Sequence, residues 1–189
     1  PADAAWMSAA LERARAGLSP PAAARWRDLP LPAPPRRNAT LDDIVDAGAE
    51  DWHTADETAA LIRLMAPQSL AKLDAAKSSG ALRVGTVFRR TRPGPEGRPQ
   101  QRAEVRFDGL AGCLRTPAGG SSRQTLIVVD GADVRTRLLA PREAARLMGL
   151  PDDYILPTRL NPALHLLGDG VVAPAVRFLA AHVLEPLAG

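Results

Sequence analysis

The chain has 189 residues, of which 46% are hydrophobic and 4% aromatic, and it carries a formal net charge of +3 at pH 7. This length suits one domain, or one small domain with a piece of another, and its core has to rest on aliphatic side chains. A single cysteine excludes an internal disulfide, and no signal peptide or apolar run of ~20 residues is visible, which favours a cytoplasmic protein over a secreted or membrane-spanning one.

The positive charge is concentrated in one part of the chain. Residues 1–82 carry a net charge of −2, residues 83–106 carry seven arginines against two glutamates, and residues 107–189 are balanced. A run of arginines is usually a solvated face. This run directly precedes a loop rich in glycine and serine, so a polyanionic partner competes with that explanation.

The first part of the chain is predicted to be helical and rich in proline. Residues 4–18 fit an amphipathic helix, which Pro20-Pro21 is expected to end. Thr54 and Glu57 form a capping box at the start of another helix. The helix that this box opens is predicted over 54–65, and two more helices are predicted at 40–45 and 69–76. The chain starts at Pro1 rather than at a methionine, so we expect a fragment or a processed chain.

At Leu82 the pattern changes to the alternation that is typical of strands. Strands are predicted at 82–88, 103–107, 125–129 and 134–138, with a loop over 92–101. Helices follow at 141–148, 161–167 and 173–184. The sequence therefore predicts an α+β fold, with a small, twisted and mostly antiparallel sheet flanked by helices.

Residues 134–154 combine a short capped helix with three arginines. Pro141 suits the first turn of that helix, and Gly149 suits its C-cap. Arg137, Arg142 and Arg146 do not fit its apolar face. They are therefore expected to point to solvent, to an acidic partner or to a neighbouring domain.

The exact residues of this stretch are more specific than the general pattern of a capped helix with arginines. Arg137-Leu-Leu-Ala-Pro-Arg-Glu-Ala-Ala-Arg-Leu-Met-Gly-Leu-Pro-Asp-Asp-Tyr154 resembles motif IX of DNA (cytosine-5) methyltransferases. In the family's order, Leu114-Arg-Thr-Pro-Ala-Gly-Gly-Ser-Ser-Arg-Gln124 resembles the glycine-turn loop of the target recognition domain, and Gly168-Asp-Gly-Val-Val172 resembles motif X. The resemblance covers most of the chain and is strongest over 82–187.

The resemblance implies three parts: a helical, proline-rich lead-in at 1–81, a target recognition region at 82–138, and a motif IX and X segment at 139–189. The last helix would belong to a Rossmann-like S-adenosylmethionine-dependent domain that is otherwise missing. The family's catalytic Pro-Cys-Gln, its Glu-Asn-Val and its glycine-rich cofactor motif are absent. Cys113 follows no proline, and we predict a small core residue without a catalytic role.

The implied function is the C-terminal DNA-recognition portion of an enzyme that transfers a methyl group from S-adenosylmethionine to C5 of cytosine in double-stranded DNA. We expect it to be inactive alone and its catalytic half to lie in the same polypeptide or in a separate subunit. A prokaryotic cytoplasmic, nucleoid-associated enzyme with no membrane partner is expected. The alternative is a non-catalytic DNA-binding module or a separate specificity subunit.

The resemblance also implies the site residues. Two loops would enter the major groove, where base edges carry a donor and acceptor code. The first loop offers Arg98, Gln100, Gln101 and Arg102. The second offers Arg115, Thr116, Gly119, Gly120, Ser121, Ser122 and Arg123, although its glycines and serines also fit a plain hairpin turn.

Motif X would place Asp169, Gly170 and Val171 beside S-adenosylmethionine, which the missing half would mainly bind. Asp169 stands where the family usually has Asn, and Gly170 where it usually has Ser. Arg137, Arg142 and Glu143 of motif IX would organise the recognition region against the catalytic domain. No metal site is predicted.

Overall fold

A computed structural model describes residues 6–29, 31–33, 39–46, 48–94, 97–116 and 123–188. The chain divides into two compact units, one formed by residues 39–172 and the other by residues 1–38 together with 173–189. We call them the central unit and the terminal unit. The three-part division inferred from the sequence stays a prediction.

The central unit is built on a four-stranded antiparallel sheet with the strand order β2-β1-β3-β4. The strands are β1 (Arg83–Pro93), β2 (Pro99–Arg106), β3 (Thr125–Asp130) and β4 (Asp133–Leu138). The predicted α+β class and antiparallel pairing are therefore confirmed. The predicted loop over 92–101 is too long, because both of its ends continue the β1–β2 ladder, with Thr91 opposite Gln101 and Arg92 opposite Gln100.

Helices cover both faces of this sheet, because successive side chains of a strand point to opposite sides. On one face, α3 (Ala55–Arg63) and α4 (Pro67–Lys77) pack against apolar residues of three strands. These residues are Val87, Ala103, Val105, Ile127 and Val129. On the other face, a 3₁₀ turn (Leu41–Asp43), α5 (Pro141–Leu147) and α6 (Leu160–Asp169) cover Val84, Leu126 and Val128.

Helix boundaries follow the capping residues. The predicted capping box of α3 is confirmed, since Thr54 Oγ1 accepts from Glu57 N at 3.2 Å and Glu57 Oε2 accepts from Thr54 N at 2.8 Å. Helix α6 runs past its predicted end at Gly168 and stops where Gly170 turns extended, with φ −70° and ψ 157°. Gly168 and Asp169 are thus the last turn of a helix rather than part of a loop.

The terminal unit contains only short helical segments among its described residues. They are α1 (Ala9–Ala16), α2 (Pro20–Ala23), α7 (Ala173–Leu179), a π-helical turn (Ala180–Leu184) and α8 (Glu185–Ala188). Ser8 caps α1, and the earlier start predicted at residue 4 lies outside the described residues. Pro20 opens α2 instead of only ending α1. Pro186 has no N–H and cannot donate the α-helical hydrogen bond to the carbonyl of His182. This missing bond explains why the turn before Pro186 is π-helical.

Residues 160–188 correct the prediction that no apolar run is long enough to span a membrane. By length and composition alone this stretch is long and apolar enough to cross a membrane. Its most apolar window has a mean hydropathy of 1.4, and none of that window is buried. Apolar helices of proteins outside membranes meet the same criterion. The chain is extended at Gly170, between α6 and α7.

A buried ion pair joins β4 to α5 in the central unit. Arg137 is 0% exposed and Glu143 is 1% exposed. Nη1 of Arg137 donates to Oε2 of Glu143 at 2.8 Å, and Nη2 donates to Oε1 at 2.5 Å. Of the three directions predicted for Arg137, the acidic partner is confirmed, because Glu143 lies one turn inside α5 of the same unit, and the side chain does not face solvent.

Backbone groups complete the bonding of this pair. The N–H groups of Asp46 and Ala140 donate to the Glu143 carboxylate, each at 2.8 Å, and Arg137 Nη2 also donates to the Asp46 carbonyl at 3.1 Å. The Trp52 ring lies 5.2 Å from the Arg137 guanidinium. The pair thus ties the 3₁₀-turn segment, β4 and α5 into one block.

The other two arginines of this stretch bind within the chain. Arg142 Nη2 donates to the carbonyl of Tyr154 at 2.9 Å. Arg146 pairs with Asp152 at 2.6 Å and donates to the Ile44 carbonyl at 3.1 Å. Both side chains therefore hold neighbouring loops against α5.

We expect Glu143→Gln to lower the free energy of unfolding at pH 7 by about 3 kcal/mol, because it leaves a buried arginine without its counter-charge. Burial raises the pKa of Glu143, but hydrogen bonds from Arg137 and two backbone N–H groups outweigh it and hold that pKa below its ordinary value. This stabilisation is present above the unfolded pKa of about 4.3 and is lost as the pH falls through the lower folded pKa.

Urea denaturation at pH 7 and below pH 4 measures both effects, and the difference between wild type and variant should shrink at the lower pH. Asp152→Asn is the control, since its exposed pair with Arg146 should contribute at most about 1 kcal/mol. Equal losses in the two variants would contradict the prediction.

Candidate nucleic-acid interface

The β1–β2 hairpin carries a basic row beyond the packed part of the sheet. The register sets Arg90 opposite Arg102 and Arg92 opposite Gln100. Opposite residues of an antiparallel pair share a face, so these four side chains lie on the face that α5 and α6 cover further along. Gln101 lies on the other face. The predicted first loop is therefore mainly an edge strand, and its residues do not all point the same way.

The charges of this row are partly paired. Glu104 contacts both Arg90, at 3.3 Å, and Arg92, at 2.8 Å. Arg102 is half-buried and, within the described part of the chain, makes no side-chain hydrogen bond or ion pair. Arg98 precedes β2 and does have an interaction partner. Arg102 is thus a predicted reader on this strand with a charged side chain and uncommitted donors.

The second predicted loop is described only at its two ends. Gly119, Gly120, Ser121 and Ser122 lie outside the described residues. Arg115 is exposed, and Thr116 is half-buried. Arg123 is half-buried, its Nη2 donates to the Leu139 carbonyl at 2.7 Å, and burial lowers its pKa. One end of the loop therefore offers an open arginine, while the arginine at the other end is bonded inward.

A cavity of about 590 Å³ is bordered by the β1–β2 hairpin and by both ends of the second segment, whereas the described residues Arg98, Gln100, Gln101 and Arg102 do not line it. Arg89, Arg90 and Arg106 line it from the hairpin, and Arg115 and Arg123 line it from the ends of the second loop. Apolar residues from the helical layer, Leu139, Ala144, Leu164 and Leu167, also border it. Arg90, Arg106, Arg115 and Arg123 bring positive charge to this concave surface. Two carboxylates offset it in part: Asp108 is bonded to Arg106 at 2.7 Å, and Glu104 pairs with Arg90 at 3.3 Å.

Two buried donors beside the cavity have no partner. They are Nε of Arg123 and Nε2 of Gln124. The Gln124 side chain is held by its other end, since Oε1 accepts from Gly112 N at 3.1 Å. Unpaired buried donors are costly, so the β3 end of this cavity favours groups that accept hydrogen bonds.

Cys113 lines the same cavity and is exposed. The prediction of a small core residue is therefore wrong, because the loop that carries Cys113 runs along the rim of the cavity rather than under it. The thiol Sγ donates to the carbonyl of Leu114, at 3.4 Å. Among the residues that the structure describes, no group of three or more His, Cys, Asp or Glu side chains could hold a metal ion.

The predicted cofactor residues lie together at the end of α6. Asp169, Gly170 and Val171 are exposed, Val171 to 71%. An exposed carboxylate suits the ammonium group of S-adenosylmethionine. The N–H of Gly170 is taken by the Leu166 carbonyl at 3.1 Å, so this residue has only its carbonyl to offer. The segment fits a contact with one polar end of such a ligand, not a complete binding site.

Several cavity residues were not singled out from the sequence. Phe88, Arg89, Arg90 and Arg106 belong to the arginine-rich run, but the choice among them needs the strand register. The alternation from Val84 to Phe88 could have assigned Arg90 to the same face. Nothing in the sequence indicated that the last turn of α6 would meet the second loop.

The comparisons with known proteins agree on one family. The family model described as C-5 cytosine-specific DNA methylase matches residues 25–185. The type II methyltransferase M.HpaII of Haemophilus parainfluenzae is 39% identical over 95 residues, which are 42% of this chain and 26% of that protein.

Two further type II methyltransferases match shorter stretches. M1.ScrFI of Lactococcus lactis subsp. cremoris is 34% identical over 61 residues, and M.SsoII of Shigella sonnei is 31% identical over 61 residues. Each of these matches covers 32% of this chain and 16% of the relative. The chain therefore spans only a minor part of the length of the curated relatives it matches.

We expect Arg123→Ala and Arg115→Ala to affect stability differently. Arg123→Ala removes the bond to the Leu139 carbonyl and should lower the free energy of unfolding by about 1–2 kcal/mol. Arg115→Ala removes an exposed side chain and should stay within about 0.5 kcal/mol of wild type. Urea denaturation followed by circular dichroism measures both, and a larger loss for Arg115→Ala would contradict the assignment.

Proposed function

Because the chain belongs to the C-5 cytosine-specific DNA methylase family, we propose that it supplies the DNA-recognition portion of an enzyme that methylates C5 of cytosine in double-stranded DNA. S-adenosylmethionine supplies the methyl group when bound. The observation that carries the proposal is the shared cavity, at which arginines of the β1–β2 hairpin and of the second predicted loop converge. Had these segments pointed to opposite sides of the central unit, no duplex could have touched both.

The shape of the first segment supports contact with a groove. The major groove of B-DNA admits a two-stranded β-ribbon, and β1–β2 is such a ribbon with basic and amide side chains on one face. Arg102 has free donors for a guanine edge, and Gln100 can serve an adenine edge. Arg90 and Arg92 can exchange Glu104 for phosphates at little cost, because exposed ion pairs contribute at most about 1 kcal/mol.

The second segment supplies the opposite wall. Arg115 faces solvent at the cavity and can contact a phosphate or a base. Thr116 follows it, and Gly119 to Ser122 continue the predicted contact surface. Arg123, bonded to Leu139, keeps the end of the loop in place. In this proposal the arginines of the open rim bind DNA, while Arg123 mainly orients the loop.

The chemistry on the cytosine lies outside these residues. Attack on C6 requires a positioned thiolate, and Cys113 has neither the family's preceding proline nor a neighbouring base. We propose that a catalytic half, in the same polypeptide or in a separate subunit, supplies the nucleophile and most of the cofactor site. Asp169, Gly170 and Val171 would contact the cofactor from this side, and the enzyme would act in the cytoplasm.

The motif IX residues would organise the two halves. Arg137 and Glu143 fix α5 to β4 through the buried pair, and Arg142 holds the Tyr154 loop. A rigid α5 gives the catalytic half a fixed surface on which to dock.

A second candidate is a separate specificity subunit or a DNA-binding module without catalysis. Sequencing the encoding DNA for a neighbouring reading frame with Pro-Cys-Gln separates these cases. A catalytic half there that restores methylation when mixed with this chain identifies a split enzyme.

We expect Arg102→Ala to weaken binding of duplex DNA by the complete methyltransferase. If Arg102 contacts a phosphate, the loss is uniform across sequences and the slope of log K against log[salt] becomes shallower by about 0.9. If it reads a base, the loss is about 1–3 kcal/mol for the selected target and small for a scrambled duplex. Fluorescence anisotropy between 50 and 200 mM salt distinguishes the two.

Arg63→Ala is the matched control for this measurement. Arg63 is an exposed arginine at the end of α3, on the opposite face of the sheet, and its loss should leave the affinity and the salt slope unchanged. Wild-type affinity in both Arg102→Ala and Arg115→Ala would refute the assignment of the reading face.

We also expect bound duplex to protect Cys113. Because this thiol is exposed on the cavity rim, iodoacetamide should alkylate it in the free protein. Mass spectrometry of the peptide that contains Cys113 should show alkylation slowed several-fold by duplex DNA and restored by high salt. An unchanged rate under saturating DNA would place the duplex elsewhere.

A further inference from the structure

Helix α6 approaches the second recognition segment at a distance that only glycine allows. A Cβ atom on Gly168 would lie 2.5 Å from the Thr116 backbone nitrogen and 2.6 Å from the Arg115 carbonyl carbon. Real Cβ contacts are not this short. The atoms in the way are backbone atoms, so no side-chain rotation relieves the clash, and any residue other than glycine has to move the helix or the segment.

This contact lies between the two predicted ligand sites. Arg115 and Thr116 begin the second DNA-reading segment, and Asp169, the next residue after Gly168, begins the predicted cofactor contact. Leu167 and Gly168 border the same cavity as Arg115. The helix thus has one end at the cofactor side and its flank against the backbone of a DNA-reading segment.

Helix α6 is suited to act as a rigid connection. It has ten residues, and Ala163, Leu164 and Leu167 anchor it in the core while its other side is exposed. A well-packed helix moves as a body rather than bending. Because the contact at Gly168 joins backbone to backbone, a shift of the helix end changes the position of Thr116 without being absorbed by a side chain.

We propose that Gly168 is a positioning residue that sets the place of Arg115 and Thr116 on the DNA and couples this place to occupancy of the cofactor segment. The identities of the two ligands rest on the proposed function. The coupling is reciprocal: a cofactor that favours one position of α6 alters DNA affinity by some factor, and DNA alters cofactor affinity by the same factor.

The test compares DNA affinity of the complete methyltransferase with and without S-adenosylhomocysteine, the demethylated cofactor. We expect a change of about 5-fold or more in wild type, as is usual for coupled sites, and less than about 2-fold in Gly168→Ala. The preference for target over scrambled duplex should fall as well. A variant with wild-type coupling and preference would overturn the inference.

Gly17→Ala is the matched control, because its Cβ would lie 3.6 Å from the Arg13 carbonyl oxygen, an ordinary contact at the end of a helix in the other unit. It should retain both the coupling and the preference. Coupling lost equally in Gly17→Ala would show a general effect of glycine replacement and overturn the inference.

Hydrogen exchange on the wild-type enzyme keeps the inference testable even if Gly168→Ala does not fold. Adding S-adenosylhomocysteine without DNA should change exchange both in a peptide covering residues 169–172 and in one covering 112–116. A change confined to 169–172 overturns the coupling and leaves the proposed function intact. No change in either peptide overturns the coupling together with the proposed cofactor contact.

Discussion

The ion pair between Arg137 and Glu143 is the constraint on which the central unit depends. Two opposite charges without access to water are tolerable only when each also has hydrogen bonds, and the backbone of Asp46 and Ala140 supplies them. The geometry therefore fixes four pieces of chain at once: β4, the start of α5, the segment after the 3₁₀ turn and the Trp52 ring. The packing of α5 and α6 on the sheet, and with it the rim of the cavity, builds on that block.

The sequence predicted those parts of the fold that local chemistry determines. The capping box at Thr54 located α3, and the alternation after Leu82 located the strands. The sequence misplaced the ends of elements whose length depends on pairing with another part of the chain. The β1–β2 ladder reaches Pro93 and Pro99 because each strand satisfies the other's backbone groups, and no propensity in the arginine-rich run reveals this.

The same distinction applies to the candidate site. The resemblance selected Arg102, Arg115 and Arg123 together, but their surroundings separate them: Arg102 has uncommitted donors, Arg115 is exposed, and Arg123 is bonded to Leu139. The structure also selects the acidic partner for Arg137 among the predicted directions and places Cys113 at the surface instead of in the core. Whether a polar side chain faces inward depends on residues far away in the sequence, here Asp46 for the arginine and Phe88 with Arg90 for the cavity beside the thiol.

The hairpin has a consequence for how specificity could change. Gln100 and Arg102 face the cavity side because they alternate with Gln101, so inserting or deleting one residue within β2 would exchange the two sets of side chains between the faces. If the hairpin reads DNA as proposed, a new target sequence is reached most simply by replacing side chains at fixed positions, or by altering the connection between Gly94 and Gly97. Insertions or deletions within the strand itself would have to involve two residues, so that the same side chains stay on the same face.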